Sequence, residues 1–279
     1  MQRALVALFK VLPLEFMYGV TALIVPFYML FNHKGYMAQY HFFRKRMGKG
    51  AVNAVWHVYR NHFAFGQVVL DRFATYAGRH FKLEIDGNEN FLRLNEGKQG
   101  FMMLSSHVGN YEQAGYALTS DRKQFYALVY AGESATVMSG RNRQFAGKGI
   151  HMIPVRNDMS HLFELNKVLD DGNIVSMPAD RCHGSAKTVG CTFFGETARF
   201  PLGPFATAVQ KGVPTLAVMV MKKGSRSYKA YVRQLAAGSD LPPRRQMADL
   251  AQQFAATLEE TVRRYPHQWF NYYEFWDAD

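Results

Sequence analysis

The stretch Phe101-Met102-Met103-Leu104-Ser105-Ser106-His107-Val108-Gly109-Asn110-Tyr111-Glu112 constrains the fold more than any other part of the chain. It opens with an unbroken apolar run, the pattern of a strand whose sheet is covered on both faces. Such a sheet needs helices above and below it, which means α/β layering. After two serines the run stops at His107 and Gly109 breaks it. Asn110 then predicts a helix N-cap, with Gln113 completing a capping box. His107 therefore falls where a strand ends, the usual place of a ligand site in open α/β sheets. Glu112 lies in the first helical turn, where the helix dipole favours an ionised carboxylate. One reading of this pair is a general base with its orienting partner, and the other is a purely structural contact.

The alternation continues on both sides. Residues 81–85 alternate as a strand that ends at Asp86-Gly87, and 88–94 predict a short helix. Further apolar strands are expected at 124–130, 150–155 and 173–177, with helices over 133–145 and from Asp158 to Leu169. The last of these strands ends at Pro178-Ala179-Asp180-Arg181, so Asp180 takes a strand-end position like that of His107. Residues 184–192 are polar and glycine-punctuated and predict a loop, Phe193-Phe194-Gly195 an aromatic corner, and 206–211 a helix. Segments 214–221 and 228–235 predict an antiparallel pair. Met247, Leu250, Ala251, Phe254, Leu258 and Val262 then repeat at helical spacing. The expected fold is α/β, a mixed and largely parallel central sheet flanked by helices, with no internal repeat and no linker.

Residues 1–33 stand apart in composition. From Val11 to Phe31 the chain is almost wholly apolar or aromatic, so 1–33 is expected to be a hydrophobic membrane-anchoring segment. About 20 apolar residues cross a bilayer, but Pro13, Glu15 and Pro26 interrupt this run, so spanning, interfacial and core helices all stay open. Lys34, Arg44, Lys45, Arg46 and Lys49 follow, interleaved with Tyr36, Tyr40, Phe42 and Phe43. Beside an apolar segment this cluster reads as a cytoplasmic-side anchor to anionic lipid. The net charge of +11 fits an acidic partner of any kind. The adjoining hydrophobic segment favours a membrane surface over nucleic acid. Two cysteines make no disulfide framework, and Cys182-His183 with Cys191 lacks a fourth ligand, so no metal is expected.

Taken together, Ser106-His107-Val108-Gly109-Asn110-Tyr111-Glu112, Pro178-Ala179-Asp180-Arg181, Phe193-Phe194-Gly195 with Ala198, Pro201 and Gly203-Pro204, and Tyr265-Pro266-His267-Gln268-Trp269 form an ordered set. In that order and spacing the chain resembles the bacterial lipid A biosynthesis acyltransferase family, within the lysophospholipid acyltransferase superfamily. The resemblance implies a glycerolipid acyltransferase-like fold, with 34–279 as the acyltransferase domain. It implies transfer of a fatty acyl group from an acyl carrier protein or coenzyme A thioester to a hydroxyl or amine of a membrane amphiphile, without metal or redox cofactor. By the same resemblance His107 is the general base and Glu112 holds and polarises its imidazole. Arg141, Arg143, Asp180, Arg181 and Asn110 are candidate substrate-binding residues, and Phe193 and Phe194 are candidate walls of an acyl channel. No serine nucleophile is needed, because the thioester is already activated and no Gly-x-Ser-x-Gly elbow is present. The expected location is the bacterial inner membrane, with the site facing the cytoplasm. The family motif usually carries tryptophan where this chain has Tyr111, which leaves the acceptor open among a lipid A precursor, a lysophospholipid, an aminolipid and a glycolipid. The non-enzymatic alternative is a basic protein that binds membrane surfaces or nucleic acid.

Overall fold

The structure is a computed structural model that describes residues 9, 12–118, 120–130, 149–156, 158, 160–182 and 187–276. Among the described residues the α-helices Leu14–Phe31 (α1), His33–His41 (α2) and Ala51–Tyr76 (α3) precede the sheet, with a π-helical turn Phe42–Arg46 between the last two. Then follow Lys82–Asp86 (β1), Asn88–Glu96 (α4), Phe101–Ser105 (β2), Ala114–Ala117 (α5), Phe125–Tyr130 (β3), Ile150–Val155 (β4), Ser160–Asp170 (α6) and Ile174–Pro178 (β5). Thr188–Phe193 (β6), Glu196–Pro201 (β7), Gly203–Lys211 (α7), Thr215–Gly224 (β8), Ser227–Leu235 (β9) and Pro243–Arg264 (α8) complete the order.

Among the described residues the sheet has seven strands in the order β1-β9-β8-β2-β5-β3-β4, of which only β8 and β9 pair antiparallel. The mixed, largely parallel sheet flanked by helices is therefore as expected. Side chains alternate along each strand, so β2 sends Met102 and Leu104 to one face and Met103 to the other. The first face packs on Leu250, Phe254 and Leu258 of α8, on Leu165 of α6 and on Phe205 of α7. The second is covered by Phe91 of α4 and Ala114 of α5. β2 and β5 lie side by side and parallel, with Ser105 paired to Pro178. Their continuations leave the sheet together at its carboxyl end.

Two expectations change here. The segment 184–192 does not stay a loop, because from Thr188 it forms β6, which pairs antiparallel with β7. Cys191 and Phe193 alternate inward, and the side chain of Gln252 on α8 both donates to and accepts from the Thr192 main chain. Gly190 and the threonines hid this period in the sequence. The helix expected over 133–145, with Arg141 and Arg143, lies outside the described residues.

Helix α1 packs along α3 rather than standing alone. The two helices touch where Gly66 meets Thr21, a crossing with no room for a Cβ. Tyr59 of α3 donates to the Ala22 carbonyl at 3.2 Å. Leu14, Tyr18 and Val25 face inward, whereas Leu23, Phe27, Leu30 and Phe31 face out. Val52, Val55 and Trp56 of α3 extend this apolar surface.

Candidate active site

The register of β2 and β5 builds the centre of the site. His107 and Asp180 each lie two residues beyond the paired Ser105 and Pro178, so they face each other across adjacent strand ends. His107 Nδ1 lies 2.8 Å from Asp180 Oδ1, and the His107 main-chain N–H donates to Oδ2 at 2.8 Å. One fully buried carboxylate thus fixes both the ring and the backbone of the histidine. Burial alone would push the Asp180 carboxyl up, but the charge and hydrogen bonds of His107, with Arg181 beside it, hold it below its ordinary value. With Nδ1 engaged, Nε2 is the nitrogen left for a reacting proton.

The loop after His107 is held from outside. Gly109 adopts φ +51°, and a Cβ there would collide with the Val220 carbonyl of β8. Gly109 N–H donates to Gln268 O and Asn110 N–H to Val220 O, each at 2.8 Å, while Phe270 N–H donates to His107 O at 2.9 Å. Asn110 is buried but caps nothing. Residues Tyr111–Gln113 form a 3-10 turn before α5, because these backbone bonds take the chain before an α-helix can start. The expected N-cap and capping box are therefore absent.

Glu112 is not the partner of the imidazole ring. Among the described residues its carboxylate accepts from Tyr76 Oη at 2.9 Å and lies 3.6 Å from Arg72 Nη1. The orienting position expected for Glu112 is occupied by Asp180, since the strand register brings residue 180, not 112, against Nδ1. Glu112 and Tyr111 do line the same cavity as His107, and the Tyr111 ring meets the His107 ring edge-on at 6.2 Å.

That cavity measures about 160 Å³ and runs from His107 beneath α5 across the second face of the sheet. Met103, Phe125, Ala127, Val129, Ile150 and Met152 make its apolar walls. Phe193 and Phe194 do not line it. They sit in an aromatic cluster with Phe42, Trp269 and Trp276, on the opposite side of the sheet, so their expected role as channel walls is corrected to packing. Arg181 is also turned away from it, donating to the Phe270 carbonyl at 2.7 Å. Asn110 does not reach the cavity either. Of the expected binding residues described, only Asp180 joins His107.

Helix α3 contributes side chains that its apolar periodicity concealed. Asp71 is fully buried and accepts from Tyr18 of α1, Tyr228 of β9 and Lys222 of β8. Burial pushes the Asp71 carboxyl up against the opposing charge of Lys222, and pushes Lys222 down. Arg72 and Tyr76 reach Glu112, and Gln113 Nε2 donates to Thr75 Oγ1 at 3.0 Å. The signal for these residues was the adjacent pair Asp71-Arg72 inside an otherwise apolar stretch. Among the described residues no group of three or more His, Cys, Asp or Glu is placed to hold a metal.

Residues 70–276 match the family model described as bacterial lipid A biosynthesis acyltransferase. A search of curated protein sequences returns no match. Among solved structures, the 1-acyl-sn-glycerophosphate (LPA) acyltransferase PlsC from Thermotoga maritima is similar, with a TM-score of 0.43 and 13% identity over 92% of this chain and 99% of that one.

Proposed function

The chain belongs to the bacterial lipid A biosynthesis acyltransferase family, and from that premise we propose that it acylates a hydroxyl or amine of a membrane amphiphile, with a lipid A precursor as the leading acceptor. The donor is an acyl thioester of carrier protein or coenzyme A. The observation that carries this reading is the His107–Asp180 pair at the mouth of an apolar cavity. His107 Nε2 takes the proton of the acceptor as its oxygen or nitrogen attacks the thioester carbonyl. The tetrahedral intermediate collapses, the C–S bond breaks, and the imidazolium returns its proton to the departing thiolate. Asp180 holds the tautomer with Nε2 free and stabilises the imidazolium, and the Glu112 carboxylate adds negative charge to the same cavity. Base catalysis of this kind contributes roughly 10²–10⁴-fold. The acyl chain occupies the apolar cavity, where Phe125 and Ile150 lie at the amino ends of β3 and β4, away from His107.

Membrane association fits the apolar face shared by α1 and α3, bordered by Lys34, Arg44 and Lys45. Helix α1 is long and apolar enough to cross a bilayer. However, it is tied along its length to α3, which carries Arg60, Asn61, His62, Asp71 and Arg72, and spanning would draw those polar groups into hydrocarbon. We therefore favour a hairpin lying in the interface of the inner membrane, on the cytoplasmic side where thioester donors occur.

Lipid mass spectrometry of cells with and without the gene, combined with purified wild type and His107→Ala, tests the reading. The expected result is one acyl chain missing from lipid A and no transfer by the variant. An unchanged lipid A with altered aminolipid or glycolipid would move the acceptor. A His107→Ala protein as fast as wild type would remove the mechanism.

A further inference from the structure

Behind His107 the cavity wall is apolar except at two hydroxyls. On the second face of the sheet β2 presents Met103 and then Ser105, and β5 presents Ile174 and then Ser176. Ser105 stands two residues before His107, about 6.6 Å along the strand. Ser176 pairs with Met103 on one side and with Ala127 of β3 on the other, and both neighbours are apolar walls of the cavity. The two serines are therefore diagonal neighbours on adjacent strands, with Cα atoms about 8 Å apart. Ser106 has a different fate, since its hydroxyl is buried and donates to Met219 Sδ at 3.0 Å. Among the described residues nothing bonds the hydroxyl of Ser105 or of Ser176, although both residues line the cavity.

An unsubstituted acyl chain laid along this wall would press methylenes against both hydroxyls. A hydroxyl taken from water without a partner costs free energy, and a small apolar residue such as Ala127 would line the wall without that cost. A chain that bears a hydroxyl of its own removes the penalty, because that group donates and accepts at once. One oxygen can bridge the two serines: hydroxyl–hydroxyl bonds run about 2.7–2.8 Å, so two of them and two serine side chains cover the separation of about 8 Å.

We propose that Ser105 and Ser176 form a polar subsite inside the acyl cavity that selects a hydroxylated acyl chain, so that the preferred donor is a 3-hydroxyacyl thioester. This rests on the acyl-transfer reading above, in which the chain occupies this cavity. Ser105 is the nearer of the two to His107, so the bridged oxygen sits close behind the reacting carbonyl, as a substituent on the third carbon does. Ser176, one step deeper, completes the pair and separates this subsite from the wholly apolar end formed by Phe125 and Ile150.

The test measures kcat/KM of the full-length enzyme in detergent micelles for lauroyl and 3-hydroxylauroyl chains, with a tetra-acylated lipid A precursor as acceptor. Each chain is presented on acyl carrier protein and on coenzyme A, and the ratio is taken within one carrier. Wild type is expected to favour the hydroxylated chain by about tenfold or more. Ser105→Ala combined with Ser176→Ala is expected to bring the ratio to one or below, whereas Ser176→Thr, which keeps a hydroxyl, is expected to retain the preference. A wild-type ratio at or below one overturns the proposal, and so does a preference that survives in the double alanine variant. An equal loss of kcat on both chains in Ser105→Ala, with the ratio unmoved, also overturns it, because that assigns the hydroxyl to the reacting carbonyl. If the double variant does not fold, the two single alanine variants carry the same comparison. Thioether analogues of both chains on the same carriers, which bind but cannot transfer, are titrated by calorimetry against wild type and variant and read the preference without turnover. Failure of the acyl-transfer reading, seen as His107→Ala retaining activity, leaves that binding ratio untouched and is distinguished from failure of this one.

Discussion

Asp180→Asn gives the sharpest test of the histidine's orientation. Asp180 accepts the ring Nδ1–H and the main-chain N–H of the same residue, each at 2.8 Å. Asparagine offers only one oxygen. If that oxygen keeps the main-chain N–H, the amide NH2 faces Nδ1, which must turn acceptor, and the ring proton moves to Nε2, where it blocks base catalysis. If the amide is flipped, NH2 opposes a buried N–H, and an unsatisfied donor costs about 1–3 kcal/mol. The loss of the carboxylate charge also withdraws electrostatic support from the imidazolium that forms as the proton is taken. Together these terms predict a fall of about 10²–10⁴ in kcat, with KM little changed. The assay is the initial rate of thiol release from the acyl thioester at fixed acceptor, with thermal unfolding recorded to show that the variant is folded. In a His107→Ala background the same substitution should add almost nothing, because the two residues act as one unit. A folded Asp180→Asn enzyme within about threefold of wild type would refute the orienting role.

Ala127→Phe fills the cavity between His107 and Ile150, so the preferred donor should shift to a shorter acyl chain, losing about 0.8 kcal/mol for each methylene no longer buried. A series of acyl thioesters reads this directly, and an unchanged length profile would place the acyl chain elsewhere. Leu23→Asp with Leu30→Asp removes side chains that are 74% and 77% exposed, so vesicle binding should fall at least about tenfold while unfolding temperature holds. Co-sedimentation with anionic vesicles checks it, and unaltered binding would move the membrane face off α1. His267 is held down to about 4 by burial and by the neighbouring Arg60, His57 and Lys49. An unfolded histidine takes its proton near pH 6.5. Between those values the unfolded chain binds more protons, so stability falls as pH drops from 7 towards 4. Solvent screening at this half-exposed ring leaves about 1–2 kcal/mol, and denaturant midpoints against pH should flatten in His267→Gln.

The two strand ends could be read in the sequence because each run stops abruptly, at the polar Ser105 and at Pro178, which has no N–H to continue a ladder. What could not be read was their register. The pairing of Ser105 with Pro178 is a tertiary fact, and without it Glu112, nearer in sequence, was the natural partner for His107. Phe193 and Phe194 misled for a related reason. A strand carries alternate side chains to opposite faces, and nothing local says which face holds the cavity. The cavity walls Ala127, Val129 and Met152 could not be told from ordinary core, since a small apolar residue packs a helix or borders a void with the same sequence pattern.

Helix α3 shows where a packing reading conceals function. Its apolar positions repeat as a half-buried helix should, yet its last turns carry Asp71, Arg72, Thr75 and Tyr76, and every one is bonded to a group on or behind the loop after β2. Polar groups withdrawn from water cost free energy unless paired, so fully buried Asp71 and half-buried Arg72, Thr75 and Tyr76 on one helix end require a matching set of partners. The 3-10 turn supplies Glu112 and Gln113, and β8 and β9 supply Lys222 and Tyr228. The loop that bears His107 is thereby gripped on three sides, by α3, by Val220 of β8, and by Gln268 and Phe270. On the proposed mechanism, a base that must meet a thioester within a fraction of an ångström needs such over-determination. Because Tyr18 of α1 bonds Asp71, whose carbonyl accepts from Thr75, which in turn accepts from Gln113, the apolar helix on the outer face is joined by a continuous chain of hydrogen bonds to the loop that bears His107.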